Sequence, residues 1–405
     1  MLPLLLAAAL AGIGLTACSG GGRGESASSN CATPGVTRDQ VVAGLIYPDS
    51  GPLAREFEAF RGGVDARLGV SVKEGGVYGR RVVLKWADDA ASSSTNLSEV
   101  KSLVTLQHVF GIMEMTTAAG GSADWLHQQG IPVTGEALDL SWGGYDNMFT
   151  YAYLVGKGAG ITTYGQFIKS HGGTRATLLY VTNELSIRLT NALAASLSAA
   201  GIPVVERIEV TPGISSPEHS ATRIRASGAN VVIVISTEED FAAIVNDARQ
   251  QGATINVALS PTGYGIANRT IEWPDGAFTY LPYYPFETRS PAISRFLSAM
   301  SEYAPEVQPA TSSQALHGWL TADLFLRGLQ EAGPCPTREA FLRGLRNVKD
   351  YDANGILVDK RSFANDFGVA NPCLSFMQFN ATTDSWNAVT GAQPLCGQQI
   401  TAHSS

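Results

Sequence analysis

The chain has 405 residues, of which 44% are hydrophobic and 16% charged, and its formal net charge is −8. This is a globular balance, and the absence of any basic block argues against nucleic acid as a partner. Past the N-terminal run, no segment is long and uncharged enough for a membrane-spanning helix, which takes about 20 residues.

The first element is a short apolar run, Leu2 to Leu15, closing in Leu15-Thr16-Ala17-Cys18. It is too short to span a bilayer but suits the apolar region of a secretory signal. Small residues before a cysteine let a peptidase reach the backbone and leave a thiol at the new N-terminus. The Gly/Ser-rich stretch Ser19 to Ser29 then behaves as a flexible coil. The arrangement resembles a bacterial lipoprotein signal, with 1–18 as the signal, Cys18 lipidated, and 19–37 as a tether. No Lys or Arg precedes the apolar run, which departs from that pattern. A plain signal peptide with a fortuitous cysteine is the alternative; the joint presence of Leu-x-Ala-Cys and a tether favours the lipoprotein.

Roughly 370 residues follow the tether, more than one core usually supports, so two lobes are expected. From Val41 the chain alternates apolar runs with amphipathic stretches. Strands are predicted at 41–47, 81–86, 109–113 and 131–134, with helices at 57–68, 94–107 and 122–129. The rhythm then restarts, with helices at 161–170, 187–200, 220–226 and 239–250. Strands between them are predicted at 176–181, 203–210, 231–235 and 256–259. The wholly apolar Val231-Val-Ile-Val-Ile235 suits a central parallel strand covered on both faces. Two βα blocks of similar size read as two similar lobes.

A third block differs. An aromatic strand at 277–283 precedes helices at 291–302, 312–332 and 337–346, the last with Thr337 as its N-cap. Runs at 374–379 and 385–389 flank Asn380-Ala-Thr-Thr-Asp384, a turn-rich loop that predicts a hairpin.

Five cysteines are present, Cys18, Cys31, Cys335, Cys373 and Cys396. With Cys18 given to lipid, four remain, an even number that suggests two disulfides in an exported chain, with three pairings open. No Cys-x-x-Cys occurs and no histidine lies near a cysteine, so no zinc site is expected.

Several motifs in order carry a resemblance. Leu45-Ile-Tyr-Pro-Asp-Ser-Gly-Pro-Leu53 is a strand, a turn and the approach to a helix with Phe57, Phe60 and Gly63. Glu74-Gly-Gly-Val-Tyr-Gly-Arg-Arg-Val-Val-Leu84 leads into the second strand, followed by Asp88-Asp89; Gly111 to Ala119 and Gly130-Ile-Pro-Val133 come next. Together they resemble type I periplasmic substrate-binding proteins, in particular the branched-chain amino acid and amide group that feeds ABC transporters. The resemblance implies an α/β fold of two Rossmann-like lobes joined by hinge strands. Lobe 1 would comprise 38–150 plus 283–350, and lobe 2 would comprise 151–282 plus 351–400. That division puts Cys31 with Cys335 and Cys373 with Cys396.

Ligands of open α/β sheets collect at the carboxyl ends of strands, where loops and helix N-termini present free N–H groups. In the resembled family the loop Glu114-Met-Thr-Thr-Ala-Ala-Gly120 bonds a ligand carboxylate, which makes Thr116 and Thr117 candidates; ordinary helix capping is the alternative. The segment Gly135-Glu-Ala-Leu-Asp139 occupies the second ligand loop. The ligand set implied is Tyr47, Ser50, Met115, Thr116, Thr117, Ala137, Asp139, Tyr151, Tyr153, Thr237, Tyr264 and Tyr283.

The sequence also departs from amino-acid binders. Asp139 falls where they place a hydroxyl, Val155 where they place a carboxylate for the α-ammonium, and Ile187 near their stacking tyrosine. Ser260-Pro-Thr-Gly-Tyr264 replaces their second acid. A buried zwitterion without counter-charges is costly, so a free α-amino acid is a poor ligand. The tyrosines, Tyr284 among them, suit a partly apolar ligand with a few polar groups. Glu114, Asp139 and Glu238 either hold a cation or stand solvated at the lip, and Trp142 either closes the cleft or covers a core edge.

The six histidines, His108, His127, His171, His219, His317 and His403, are scattered, mostly on surfaces or helix faces. No nucleophile elbow, phosphate loop or dinucleotide fingerprint occurs. The chain therefore reads as a non-enzymatic, lipid-anchored solute-binding monomer on the outer face of the cytoplasmic membrane. It needs no cofactor or metal and delivers a small organic ligand, not a standard free amino acid, to an ABC permease. A sensor of the same fold acting with a signalling partner is the alternative. Mass spectrometry of the membrane-extracted protein should find diacylglyceryl on Cys18; an unmodified soluble mature form would refute the anchor.

Overall fold

A computed structural model of the chain describes residues 31–51, 53–265, 271–389 and 393–401; Cys18 and the signal lie outside the described residues. The first βα block contains β1 (Gln40–Tyr47), α1 (Ala54–Phe57), α2 (Phe60–Lys73), β2 (Arg81–Asp88) and α3 (Ser93–Thr105). It continues through β3 (Ile112–Glu114), α4 (Gly120–Gln128), β4 (Val133–Gly135) and β5 (Met148–Thr150). The five strands pair in parallel in the order β2-β1-β3-β4-β5. Where one helix is predicted over 57–68, two appear, broken between Phe57 and Phe60.

The second block runs β6 (Gly160–Ile161), α5 (Thr163–Ser170), β7 (Ala176–Tyr180), α6 (Glu184–Ala199) and β8 (Val204–Glu209). Then come α7 (Pro217–Ser227), β9 (Val231–Ile235), α8 (Glu238–Gln250), β10 (Val257–Leu259) and β11 (Phe278–Leu281). The chain next crosses to α9 (Pro291–Tyr303), α10 (Ser313–Ala332) and α11 (Arg338–Arg346), which pack on the first sheet. It returns as β12 (Cys373–Asn380), β13 (Ser385–Ala388), β14 (Leu395–Cys396) and β15 (Gln399–Ile400). The main path of the second sheet is β13-β12-β11-β10-β9-β7-β8, parallel except for the antiparallel pairs β11–β12 and β12–β13 at its edge.

Local chemistry explains the helix starts. Ser92, Asn183, Ser216, Thr237, Ser290, Ser312 and Thr337 each accept the N–H three residues on, satisfying a donor the helix leaves free. All five residues of β9 are buried, as the apolar run demands. Each sheet is covered on both faces. On the first, Phe60, Phe325 and Phe341 pack on one side and Val100, Leu103 and Leu126 on the other. On the second, Phe167 and Leu193 lie opposite Phe241 and Val245.

The cysteines pair as Cys31–Cys335, with Cα atoms 5.4 Å apart, and Cys373–Cys396, with Cα atoms 4.0 Å apart. Tyr351, Ile356, Leu357 and Phe363 bury themselves in the core under α10, on the first sheet. The fold is thus the doubly wound, two-sheet α/β arrangement expected from the sequence.

The tightest helix contact joins α2 and α10. A Cβ on Gly63 would overlap the backbone of Ala315, and one on Gly318 would overlap the Phe60 carbonyl, so the two backbones touch at both points. Beside them Arg67 donates to Asp323 at 2.7 Å and Tyr351 donates to its other oxygen at 2.9 Å, all three buried. Gly to Ala inside an exposed helix normally stabilises by about 1 kcal/mol. Gly318→Ala should instead destabilise by about 1–3 kcal/mol through overpacking. Urea unfolding reads the sign, and a gain in stability would show that the helices do not meet there.

Candidate functional site

Parallel strands send all their carboxyl ends to one edge, so β1, β3, β4 and β5 deliver the loops after Tyr47, Glu114, Gly135 and Thr150 to one rim. Three segments run between this sheet and the second. Tyr283 bridges Leu357, Tyr284 N–H donates to the Ile356 carbonyl at 2.9 Å, and Tyr153 N–H donates to Asn371 at 3.1 Å. From the second sheet, the Gly265 carbonyl accepts from Ser313 N–H at the start of α10. Charges meet there too. Partial burial and then Glu239 raise the pKa of Glu56 on α1, and burial and then Glu56 raise that of Glu238 on α8.

The expected ligand residues divide among these places. Tyr47 ends β1, buried against Phe60 and Trp86, with Arg61 at its hydroxyl. Ser50 is exposed and donates to the Asp88 carboxylate. Met115 and Ala137 are buried, and Thr117 is exposed. Thr116 is buried and accepts from Ala118 N–H at 3.1 Å, a local turn ahead of α4 and not a cap on it. Thr237 caps α8. Tyr264 stacks on Phe286, donates to Glu287 at 2.6 Å and accepts from Phe286 N–H at 2.7 Å, knitting the loop after β10 to the crossing. The Tyr153 hydroxyl is taken by the Trp142 carbonyl at 3.2 Å, and Trp142 itself is wholly buried in the core.

Asp139 does something specific. Its carboxylate accepts Ser141 N–H at 2.9 Å and Gly120 N–H at 2.6 Å. Helix α4 has no side-chain cap of its own. Asp139 therefore supplies, from the next loop, the anion that a helix N-terminus attracts. Gly121 and Ser122 N–H are held by the Ala118 and Ala119 carbonyls. The N–H group that opens α4 is thus spoken for by the protein.

Glu114, one strand away, is not a solvated lip residue. It is wholly buried, neither oxygen has a hydrogen-bond partner of good geometry, and its pKa is pushed up to about 8. Burial is the main cause, followed by repulsion from Asp139 and Asp89. Among the described residues, no group of three acidic, His or Cys side chains is placed to hold a metal ion.

Four polar groups that the sequence did not single out as a set converge nearby. His317 Nδ1 lies 2.8 Å from Glu136 Oε2, and the imidazole is flanked by Tyr151 and Tyr283, with ring centroids 6.0 and 5.8 Å away. Neither His317 Nδ1 nor Glu136 Oε2 nor the buried Tyr151 hydroxyl completes a well-angled hydrogen bond. Burial, and secondarily Glu136, holds both tyrosine hydroxyls above their ordinary pKa. His317 reads in sequence as one more helix-face histidine; only its placement on α10 against β4 and β5 marks it.

A family model described as periplasmic binding protein matches residues 40–384. The chain belongs to the periplasmic binding protein family. Leu/Ile/Val-binding protein homolog 3 of Brucella melitensis is 23% identical to it over 321 residues, covering 77% of this chain and 84% of its own. A fatty acid ABC transporter substrate-binding protein from Thermomonospora curvata superposes with a TM-score of 0.71 at 15% identity, covering 89% of this chain and 94% of its own. A solute-binding protein from R. palustris in complex with benzoate gives 0.70 at 15% identity, covering 90% and 99%. The family consists of solute-binding components of ABC transporters, not enzymes. No helix among the described residues of this binding protein is long and apolar enough to cross a membrane.

Glu114 generates a pH signature. Its ordinary pKa is 4.5 and its folded value about 8. The folded state therefore holds the proton over that interval, and this contribution to stability, full at low pH, is lost as pH rises toward 8. Denaturant unfolding from pH 5 to 9 should show that fall, and Glu114→Gln should flatten it. An unchanged slope would mean the carboxyl ionises freely in the fold.

Proposed function

We propose that this protein is the lipid-anchored, extracytoplasmic binding component of an ABC importer. It closes on a small, partly apolar organic solute other than a standard free α-amino acid. Family membership supports the transport role, with closure driven by contacts the solute makes with both lobes. A monomer divided as 38–150 plus 283–350 and 151–282 plus 351–400, with the stretch around 351–363 buried against the first lobe, suits such a hinge.

The observation that carries the ligand reading is the Asp139 contact to Gly120 N–H. An amino acid's carboxylate would compete with an anion already held at that helix start. Nearby, Glu114 shows that one further carboxyl is kept protonated by the same surroundings. Tyr47, Tyr151 and Tyr283 supply apolar area with hydroxyls, and the partly exposed Trp86 adds apolar area with an indole N–H. Met115, Thr116, Thr117, Ala137, Ser50, Thr237, Tyr153 and Tyr264 form or brace the surrounding loops. A second reading, a branched-chain amino acid, is favoured by the curated relative's name.

Thermal-shift and calorimetric screening separates the two. A solute at a hundred times its Kd should stabilise the native state by about 2.7 kcal/mol. Partly apolar solutes lacking the α-amino acid group should do so, and leucine, isoleucine and valine should not. Strong stabilisation by leucine would overturn the ligand reading and leave the transport role standing.

A further inference from the structure

We propose that His317, held by Glu136 and flanked by Tyr151 and Tyr283, receives an uncharged hydroxyl group of the bound solute. The inference rests on the solute-binding reading and deepens it by naming the ligand's polar group.

The place is right for a ligand. Glu136 follows β4, Tyr151 follows β5, Tyr283 lies in a crossing between the sheets, and His317 sits one turn into α10, whose first residues touch the loop after β10. The pair keeps some solvent access, with side-chain exposures of 16% for His317 and 20% for Glu136. Tyr151 is only 1% exposed, and its hydroxyl reaches the Glu136 carboxylate only in poor geometry. A buried hydroxyl so poorly held is costly, and a ligand group can offset that cost.

The chemistry of the donors selects the group. With Nδ1 toward Glu136, Nε2 is the ring nitrogen left to meet a ligand, and each tyrosine hydroxyl both donates and accepts. A ligand hydroxyl, which also does both, satisfies all of them. A carboxylate only accepts, and it would enter beside Glu136, with Glu114 and Asp139 on the neighbouring strand and loop. Those surroundings already oppose ionisation of Glu114. A ligand ammonium would be drawn to Glu136 but gives the hydroxyls nothing to donate to.

The test uses the full processed chain and matched probes on shared carbon skeletons, aromatic and aliphatic, each as the alcohol, the carboxylate, the amine and the unsubstituted hydrocarbon. Benzyl alcohol, benzoate, benzylamine and toluene form one such set. Calorimetry should rank the alcohol first. His317→Ala should weaken alcohol binding by about tenfold, the worth of one well-made hydrogen bond. It should leave hydrocarbon binding nearly unchanged, so that discrimination collapses. Tyr151→Phe, which removes one oxygen and no packing, should do the same in smaller measure even if His317→Ala folds poorly. Preference for the carboxylate or amine, or variants that weaken alcohol and hydrocarbon alike, would overturn the hydroxyl assignment while solute binding stood. Failure of every probe and of every amino acid to bind would overturn both.

Discussion

The contact between α2 and α10 is the constraint on which the rest depends. Two glycines, Gly63 and Gly318, remove the side chains that would hold these helices apart, and the backbones close on each other. At that distance Arg67 and Asp323 must be buried, and they are tolerable only because they pair with each other and with Tyr351. The helix so fixed is not part of the first βα block. It arrives after the chain has built the second sheet and crossed back. One face of the first sheet is therefore covered only by α2 until the crossing is made.

The same contact positions chemistry. His317 and Gly318 are adjacent, so seating one helix against the other brings the imidazole to the carboxyl ends of β4 and β5. Glu136 and Tyr151 meet it from those strands, and Tyr283 from a crossing. Packing that stabilises lobe 1 and polar groups that face the junction are thus set by a single helix. A shift in its seating reaches the rim directly.

Electrostatics at that rim are marked by carboxyl groups that crowd one another. Asp139 occupies the N–H that opens α4, Glu114 is held protonated beneath it, and Glu56 opposes Glu238 across the two sheets. Each carboxylate disfavours another in the same low-dielectric space. The proposed discrimination against a free amino acid rests on what the rim already contains, in the way that binding sites discriminate through unfavourable contacts.

Much of this protein was legible in the sequence because the signals are local. The apolar run of β9, the Thr337 cap, the hairpin around Asn380 and the two-block βα rhythm depend on neighbours within a turn or a strand. The short strand β5 carried too few residues to show a period, and the break between Phe57 and Phe60 left none either. Tyr264 and Tyr153 looked like ligand groups by position, yet their hydroxyls are committed to Glu287 and Trp142. Sequence alone determined the alternation of elements, their starts and the motif order of a known family. Tertiary structure decided which carboxylate caps α4 and which histidine joins the rim. Those partners lie far apart in the chain, and only parallel register and the returning helix bring them within hydrogen-bonding distance.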